Sequence, residues 1–234
     1  MKKTVLSILI LSIVINSYAT DILKTTPENL GDDTLTYTYE EHYYDGIGES
    51  RLNISKTDDG YFIEWRGITD RTMLYTDDKF NTKSMKMIDD DTELDVERAG
   101  NELIVVGFDE GKKIDKTLKI DSEYWYQLMP AQLSDFVKTD TKQTEFSMFD
   151  PYNIQVMDMK VEKKGVERIE IGGMEVEAVK MNMRIQGLLS LFWKSEIWYS
   201  TKSRLQVKYE GVNVIPKLYN AVIELKSADL SVSQ

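Results

Sequence analysis

Period-two alternation, cut at short intervals by Gly- and Asp-rich turns, restricts this chain more than any other feature. Leu35, Tyr37, Tyr39 and Tyr43 share one parity, interrupted only by Glu41, while Thr34, Thr36, Thr38, Glu40 and His42 share the other. Successive side chains of a strand point to opposite faces, so the pattern describes a strand with one buried face. Leu52 and Ile54 mark a second strand, closed by Asp58–Asp59–Gly60; Tyr61, Ile63 and Trp65 mark a third. Met73–Tyr75 and Met85–Ile88 continue the series. Leu94–Val96 and Leu103–Val106 flank the turn Ala99–Gly100–Asn101–Glu102, and Asp109–Glu110–Gly111 sends the chain back through Lys116–Ile120. Glycine supplies the positive φ that tight hairpins need.

The second half repeats the pattern. Met157, Met159 and Val161 alternate with Asp158, Lys160 and Glu162, and Ile169 and Ile171 lead into Gly172–Gly173, a two-residue hairpin signal. Val179, Met181, Met183 and Ile185 alternate beyond it, followed by Ile197–Tyr199, Leu205–Tyr209 and Tyr219–Leu225. One stretch departs from period two. Asp121 and Ser122 are N-cap types, and Tyr124, Leu128, Leu133, Phe136 and Val137 fall at roughly helical spacing. Pro130 lacks an N–H, so it kinks this helix or starts a second one. The expected fold is mainly β: a curved antiparallel meander or open half-barrel of roughly 10–12 strands of ordinary length. One broken helix, or two short ones, over residues 122–138 packs on its concave face. The expected organisation is an irregular arm over 20–33 and a single β-rich domain over 34–234.

The first nineteen residues set the expected location. Lys2 and Lys3 precede an apolar run from Val5 to Ile15, and Ser17–Tyr18–Ala19 places small residues two apart before Thr20. This is the layout of a cleavable secretory signal, and the run is shorter than the ~20 apolar residues that span a bilayer. No other run is longer than Gly187–Trp193, so no transmembrane span is expected in the mature chain. The expectation is an exported protein, periplasmic or secreted. The sequence holds no cysteine. That excludes disulfides, thiol catalysis, Cys–zinc sites and the cysteine-linked lipid anchor of bacterial lipoproteins, and leaves packing to hold the domain. The net charge is −11, from 40 acidic and 29 basic residues. An acidic surface argues against nucleic acid and against anionic headgroups.

The segment Val176–Gly211 contains an apolar strand, a short loop, the run Glu196–Ile197–Trp198–Tyr199–Ser200, a polar turn and Leu205–Gln206–Val207–Lys208–Tyr209. It resembles the closing hairpins of uncharacterised secreted bacterial β-meander domains. Those domains look like lipoprotein carriers of the LolA/LolB type. The resemblance implies a curved antiparallel sheet with helices over its concave side and an apolar cavity between them. It carries over no functional residue.

Eleven methionines are many for this length. Met157, Met159, Met174, Met181 and Met183 cluster in the second half, and a flexible, polarizable side chain suits an adaptable apolar surface. The candidate cavity lining is Met157, Met159, Met181 and Met183, with Leu189, Phe192, Trp193 and Trp198. The plainer reading of each is core filling. Leu188–Trp193, apolar on both parities, is either a hydrophobic lip or a strand covered on two sides. The acidic runs Asp89–Glu93, Asp77–Asp78 and Asp58–Asp59 lack the spacing of a calcium loop and read as solvated turns. His42 is the only histidine, and no G-x-S-x-G, H-E-x-x-H, P-loop or G-x-G-x-x-G is present, so neither catalysis nor a cofactor is expected. Three readings stay open: a non-enzymatic protein that binds a lipid or other apolar ligand, an envelope interaction module with a packed core and a protein partner, and, least supported, hydrolysis by a carboxylate pair of glycosidase type.

Overall fold

Fourteen antiparallel strands form one sheet in the computed structural model, which describes residues 25–42, 46–187, 194–213 and 219–231. The expected signal segment 1–19, Tyr43 and Tyr44 lie outside the described residues. A 3-10 turn at Pro27–Asn29 precedes β1 (Thr34–His42), β2 (Ile47–Thr57), β3 (Gly60–Arg66) and β4 (Arg71–Thr76). Then come β5 (Thr82–Ile88), β6 (Thr92–Ala99), β7 (Glu102–Asp109) and β8 (Lys112–Lys119). After the helices α1 (Met129–Gln132) and α2 (Ser134–Lys138) follow β9 (Gln143–Asp150), β10 (Gln155–Ile171) and β11 (Met174–Ile185). The chain closes with β12 (Lys194–Ser200), β13 (Gln206–Asn213) and β14 (Tyr219–Ser231). Each strand pairs with its neighbour in sequence, except that β14 returns to pair with β1. Two meanders, β1–β8 and β9–β14, therefore join through β1 and β14 into one sheet with β8 and β9 at its edges.

The sheet curls around the helices. Gln132 of α1 donates to the hydroxyl of Thr82 in β5, and Tyr199 of β12 donates to the carbonyl of Met129. β5 and β12 are seven strand spacings apart in the sheet order. A flat sheet would separate them by about 33 Å, at ~4.7 Å per strand. A four-residue helix can touch both only if the sheet wraps it. The open mainly-β architecture with a helical element inside the curl is the one expected.

Alternation built the strands as read. In β6, Thr92, Leu94 and Val96 are buried while Glu93, Asp95 and Glu97 are exposed. Leu35, Tyr37 and Tyr39 are buried on β1, and Glu41 shares their buried face. The hairpin at Gly172–Gly173 has φ of 56° and 77°, the double left-handed geometry of a type I′ turn.

Two features differ from expectation. Residues 122–128 are not helical; the helices begin at Met129, and Leu133 separates α1 from α2. Pro130 stands in the first turn of α1, where its missing N–H costs nothing. The strand count exceeds the expected 10–12 partly because β9 escaped notice. Both faces of β9 are covered: Phe146 joins the cluster under the helices, and Phe149 joins the main cluster with Trp125. A strand buried on both sides shows no period-two signal. β10 is one strand of 17 residues whose alternation is broken by a bulge between Lys163 and Gly165 that shifts its register. Val161 faces Met183 before the bulge and Ile169 faces Val176 after it, so the apolar side changes face.

The link from β8 to α1 ties the edge strand β9 to β5 of the other meander. Trp125 forms a parallel bridge with Ser147 of β9, and its carbonyl accepts from Thr82 of β5 at 3.0 Å. The arm before β1 is pinned as well: the guanidinium of Arg204 donates to the Glu28 carboxylate, and Lys138 lies 3.6 Å from it. Burial alone would raise the Glu28 carboxyl, but bonds from its backbone and Arg204 outweigh burial and hold it below its ordinary value.

Candidate functional site

Inward side chains of a strand recur every second residue, so a methionine pair spaced M-x-M presents two thioethers to one face. Met85 and Met87 do so on β5, and Met157 and Met159 on β10. The curl brings these strands to opposite walls of one cleft of about 520 Å³. Met148 and Phe149 of β9, Ile185 of β11 and Leu128 add to its apolar lining. The volume lies within the range of small-molecule sites, roughly 300–1,000 Å³.

A polar rim surrounds the mouth. Asp150 ends β9, and its carboxylate caps the turn to β10. It accepts from the backbone amides of Tyr152 (3.1 Å) and Asn153 (3.3 Å) and from the side chains of Asn153 (2.7 Å) and Gln155 (3.1 Å). The turn so fixed carries Tyr152, whose hydroxyl donates to Asp89 at 3.5 Å on the β5–β6 turn. Burial, then the negative charges of Asp89 and Asp70, pushes the Tyr152 phenol up to about 12. Asp70, just before β4, also lines the cleft. Burial first, then the charges of Glu41 and Asp89, raises its carboxyl from 3.8 to about 6. Gln127 fixes the floor: its amide donates to the Phe149 carbonyl at 2.8 Å and accepts from the Phe149 N–H at 3.0 Å. None of the described residues lining the cleft is a lysine, arginine or histidine.

The structure divides the residues singled out in the sequence. Met157 and Met159 line the cleft. Met181 and Met183 are buried with Met159 in the cluster beneath the helices, beside Leu133, Phe136 and Tyr199. Trp198 points to the opposite face of β12 from Ile197 and Tyr199. Its indole donates to Glu167 at 2.5 Å, and the ammonium groups of Lys180 and Lys208 lie over its ring at 4.8 and 5.5 Å. Leu189, Phe192 and Trp193 lie outside the described residues. The sequence reading did not select Met85, Met87 or Met148. The first two carry the same M-x-M spacing as Met157 and Met159, so a search for that spacing along the whole chain finds them.

His42 meets Glu40 at 3.0 Å near the end of β1, both half-exposed. Asp89 caps its own turn through the amide of Asp90. Among the described residues no group of three or more His, Asp or Glu side chains is arranged to hold a metal ion. No helix among them is long and apolar enough to cross a membrane. A second hollow, about 460 Å³, lies on the outer face of β3–β7, where Tyr75, Ile104 and Val106 are exposed.

No family model matches the chain, and no curated protein matches it. The fold is similar to the crystal structure of a β-barrel-like protein of domain of unknown function DUF1849 from Brucella abortus. The TM-score is 0.60 at 9% identity, over 86% of this chain and 99% of that one. Weaker likenesses include the hypothetical lipoprotein YmcC from Escherichia coli, with a TM-score of 0.37 at 9% identity over 92% of each chain. A putative outer membrane lipoprotein-sorting protein domain from Vibrio parahaemolyticus follows, with a TM-score of 0.27 at 8% identity over 86% of each chain. The first, at 9% identity, shows the fold and not the ligand. The likeness expected from the sequence, to an uncharacterised β-meander domain, is present at the level of fold.

Proposed function

We propose that this protein is an exported, non-enzymatic binding protein that holds a lipid or other apolar ligand between the two halves of its curled sheet. The observation that carries the reading is the cleft. Five methionines, Met85, Met87, Met148, Met157 and Met159, converge there from three strands of both meanders. Thioether side chains adapt to an irregular apolar guest better than branched ones. The basic start and apolar run of residues 1–19 support export, and the absence of cysteine from the sequence supports a mature protein without a thiol-linked lipid anchor.

The test is native mass spectrometry of the protein purified gently from its own cells, paired with displacement of the neutral fluorophore N-phenyl-1-naphthylamine. Co-purified mass that leaves on organic extraction, and saturable probe binding, are expected. A bare chain that shows no saturable binding would overturn the reading.

A second reading, a module that docks an envelope protein, is favoured by one observation. Ile104, Val106 and Phe108 expose a row of apolar side chains along the outer face of β7. Single exposed apolar side chains are ordinary, whereas a contiguous strip marks an interaction surface. Crosslinking in intact cells through a photoreactive residue at position 108 tests it: a discrete adduct supports docking, and its absence counts against it.

A further inference from the structure

We infer that the occupant of the Met-lined cleft is an amphiphile whose polar end is a cationic amine, seated beside Asp70 at the mouth. The inference rests on the ligand-binding reading above and assigns the charge of the ligand. It follows from what lines the polar end of the cleft.

A site for a fatty acid or a phosphate-bearing lipid needs a donor for the anion, normally an arginine or lysine. The described lining supplies none. The ionisable side chains there are Asp70, Asp150, Tyr152 and Tyr209. Asp150 is saturated by four neutral donors from its own turn, with no cation among them. Asp70 differs, because the charged groups that act on it, Glu41 and Asp89, are both negative. A carboxylate withdrawn from water among like charges is costly unless a cation joins it. An anionic headgroup at this position would add a further negative charge. A neutral headgroup would leave the repulsion in place, and an ammonium removes it. Apolar walls and an acidic mouth together select a chain with a positive end.

The experiment uses three ligands of equal chain length: dodecylamine, dodecanol and dodecanoate. Each displaces N-phenyl-1-naphthylamine from the natively purified protein at pH 7.5 and below the micellar range. The expected order is dodecylamine first, about tenfold tighter than dodecanol, which corresponds to one modest ion pair, with dodecanoate weakest. Asp70→Asn is expected to remove the preference for the amine over the alcohol, and Asp70→Glu to keep it, with near-UV circular dichroism confirming the fold of each.

Saturable dodecanol displacement without a preference for the amine would overturn the charge assignment and leave the cleft as a binding site. Displacement by none of the three would overturn the cleft reading and this inference with it. The order in the unaltered protein decides the matter even if a variant fails to fold.

Discussion

The side-chain amide of Gln132 donates to the main-chain carbonyl of Phe80 at 2.7 Å, joining α1 to the turn between β4 and β5. The same nitrogen donates to the Thr82 hydroxyl at 2.8 Å, while the amide oxygen accepts from the N–H groups of Gln127 and Leu128. One fully buried side chain thus satisfies four polar groups and fastens the helical plug to the N-terminal meander. Phe80 itself is buried at φ 64°, stacked on Tyr61 at 4.3 Å.

Gln132→Leu keeps the volume and strands those four groups away from water. Each unpaired buried polar group costs roughly 1–3 kcal/mol. With partial relaxation the substitution is expected to destabilise the fold by about 3 kcal/mol or more, measured by urea denaturation. A loss below about 1 kcal/mol would show that the plug is not held by this residue.

The β7–β8 turn offers a change of opposite sign. Glu110 and Gly111 have φ of 48° and 74°, so both central residues are left-handed. Glutamate at such a position is strained by roughly 1–2 kcal/mol; its side chain makes an exposed pair with Lys112 at 3.6 Å, while its N–H donates to the Asp91 carbonyl, a bond that any residue there keeps. Asn–Gly is the favoured pair for this turn type. Glu110→Asn is expected to raise stability by about 0.5–1 kcal/mol, read as a shift in urea midpoint at constant slope. An unchanged or lowered midpoint would mean that the ion pair outweighs the strain.

What was legible in the sequence followed the number of covered faces. β6 buries one side, and its alternation named the buried residues directly; on β1 and β3 the alternation named the apolar face but not Thr38 and Glu64, buried on the other. β9 buries Phe146 toward the helices and Phe149 toward Trp125, so its pattern carried no periodicity to read. Tyr124 and Leu128 stand at helical spacing yet precede the helices, because Trp125 between them bridges Ser147 and accepts from Thr82, contacts distant in sequence. The cleft was half legible. Met157 and Met159 stood out as a pair, but nothing local in Met85 and Met87 says that seventy residues later another strand will face them.

The methionines that were singled out together now separate into two experiments. Met157 is half-buried and lines the cleft, whereas Met181 has no exposed surface and packs under α1 and α2. Met157→Asp is expected to abolish displacement of the neutral fluorophore while near-UV circular dichroism stays native. Met181→Asp buries an unpaired carboxylate in a packed core and is expected to unfold the protein, a loss well above 3 kcal/mol. If Met157→Asp binds as the unaltered protein does, the cleft is not the binding site.

Asp70 gives the cleft a signature in the pH dependence of stability. Its carboxyl is raised from 3.8 to about 6, by burial first and then by Glu41 and Asp89, with Tyr152 also facing it. A raised acid binds its proton more tightly in the folded state. Between about pH 4 and pH 6 the folded protein therefore carries a proton at Asp70 that the unfolded chain has already released. Stability contributed by that proton is complete below pH 4, falls through this window, and is absent above pH 6. The upper limit of the effect is roughly 3 kcal/mol, two pKa units at 1.36 kcal/mol each. Asp70→Asn cannot ionise, so it is expected to match the unaltered protein near pH 4 and to exceed it in stability at pH 7. Urea midpoints of the two proteins measured across pH 4–8 decide the point: parallel curves would mean that Asp70 titrates as an ordinary exposed carboxylate. Saturating dodecylamine at pH 7 is expected to narrow the gap, because the ammonium supplies the charge that the lost proton withdrew. Binding in the apolar cleft stabilises the variant as well, so it is the narrowing of the difference between the two proteins that reports the ion pair.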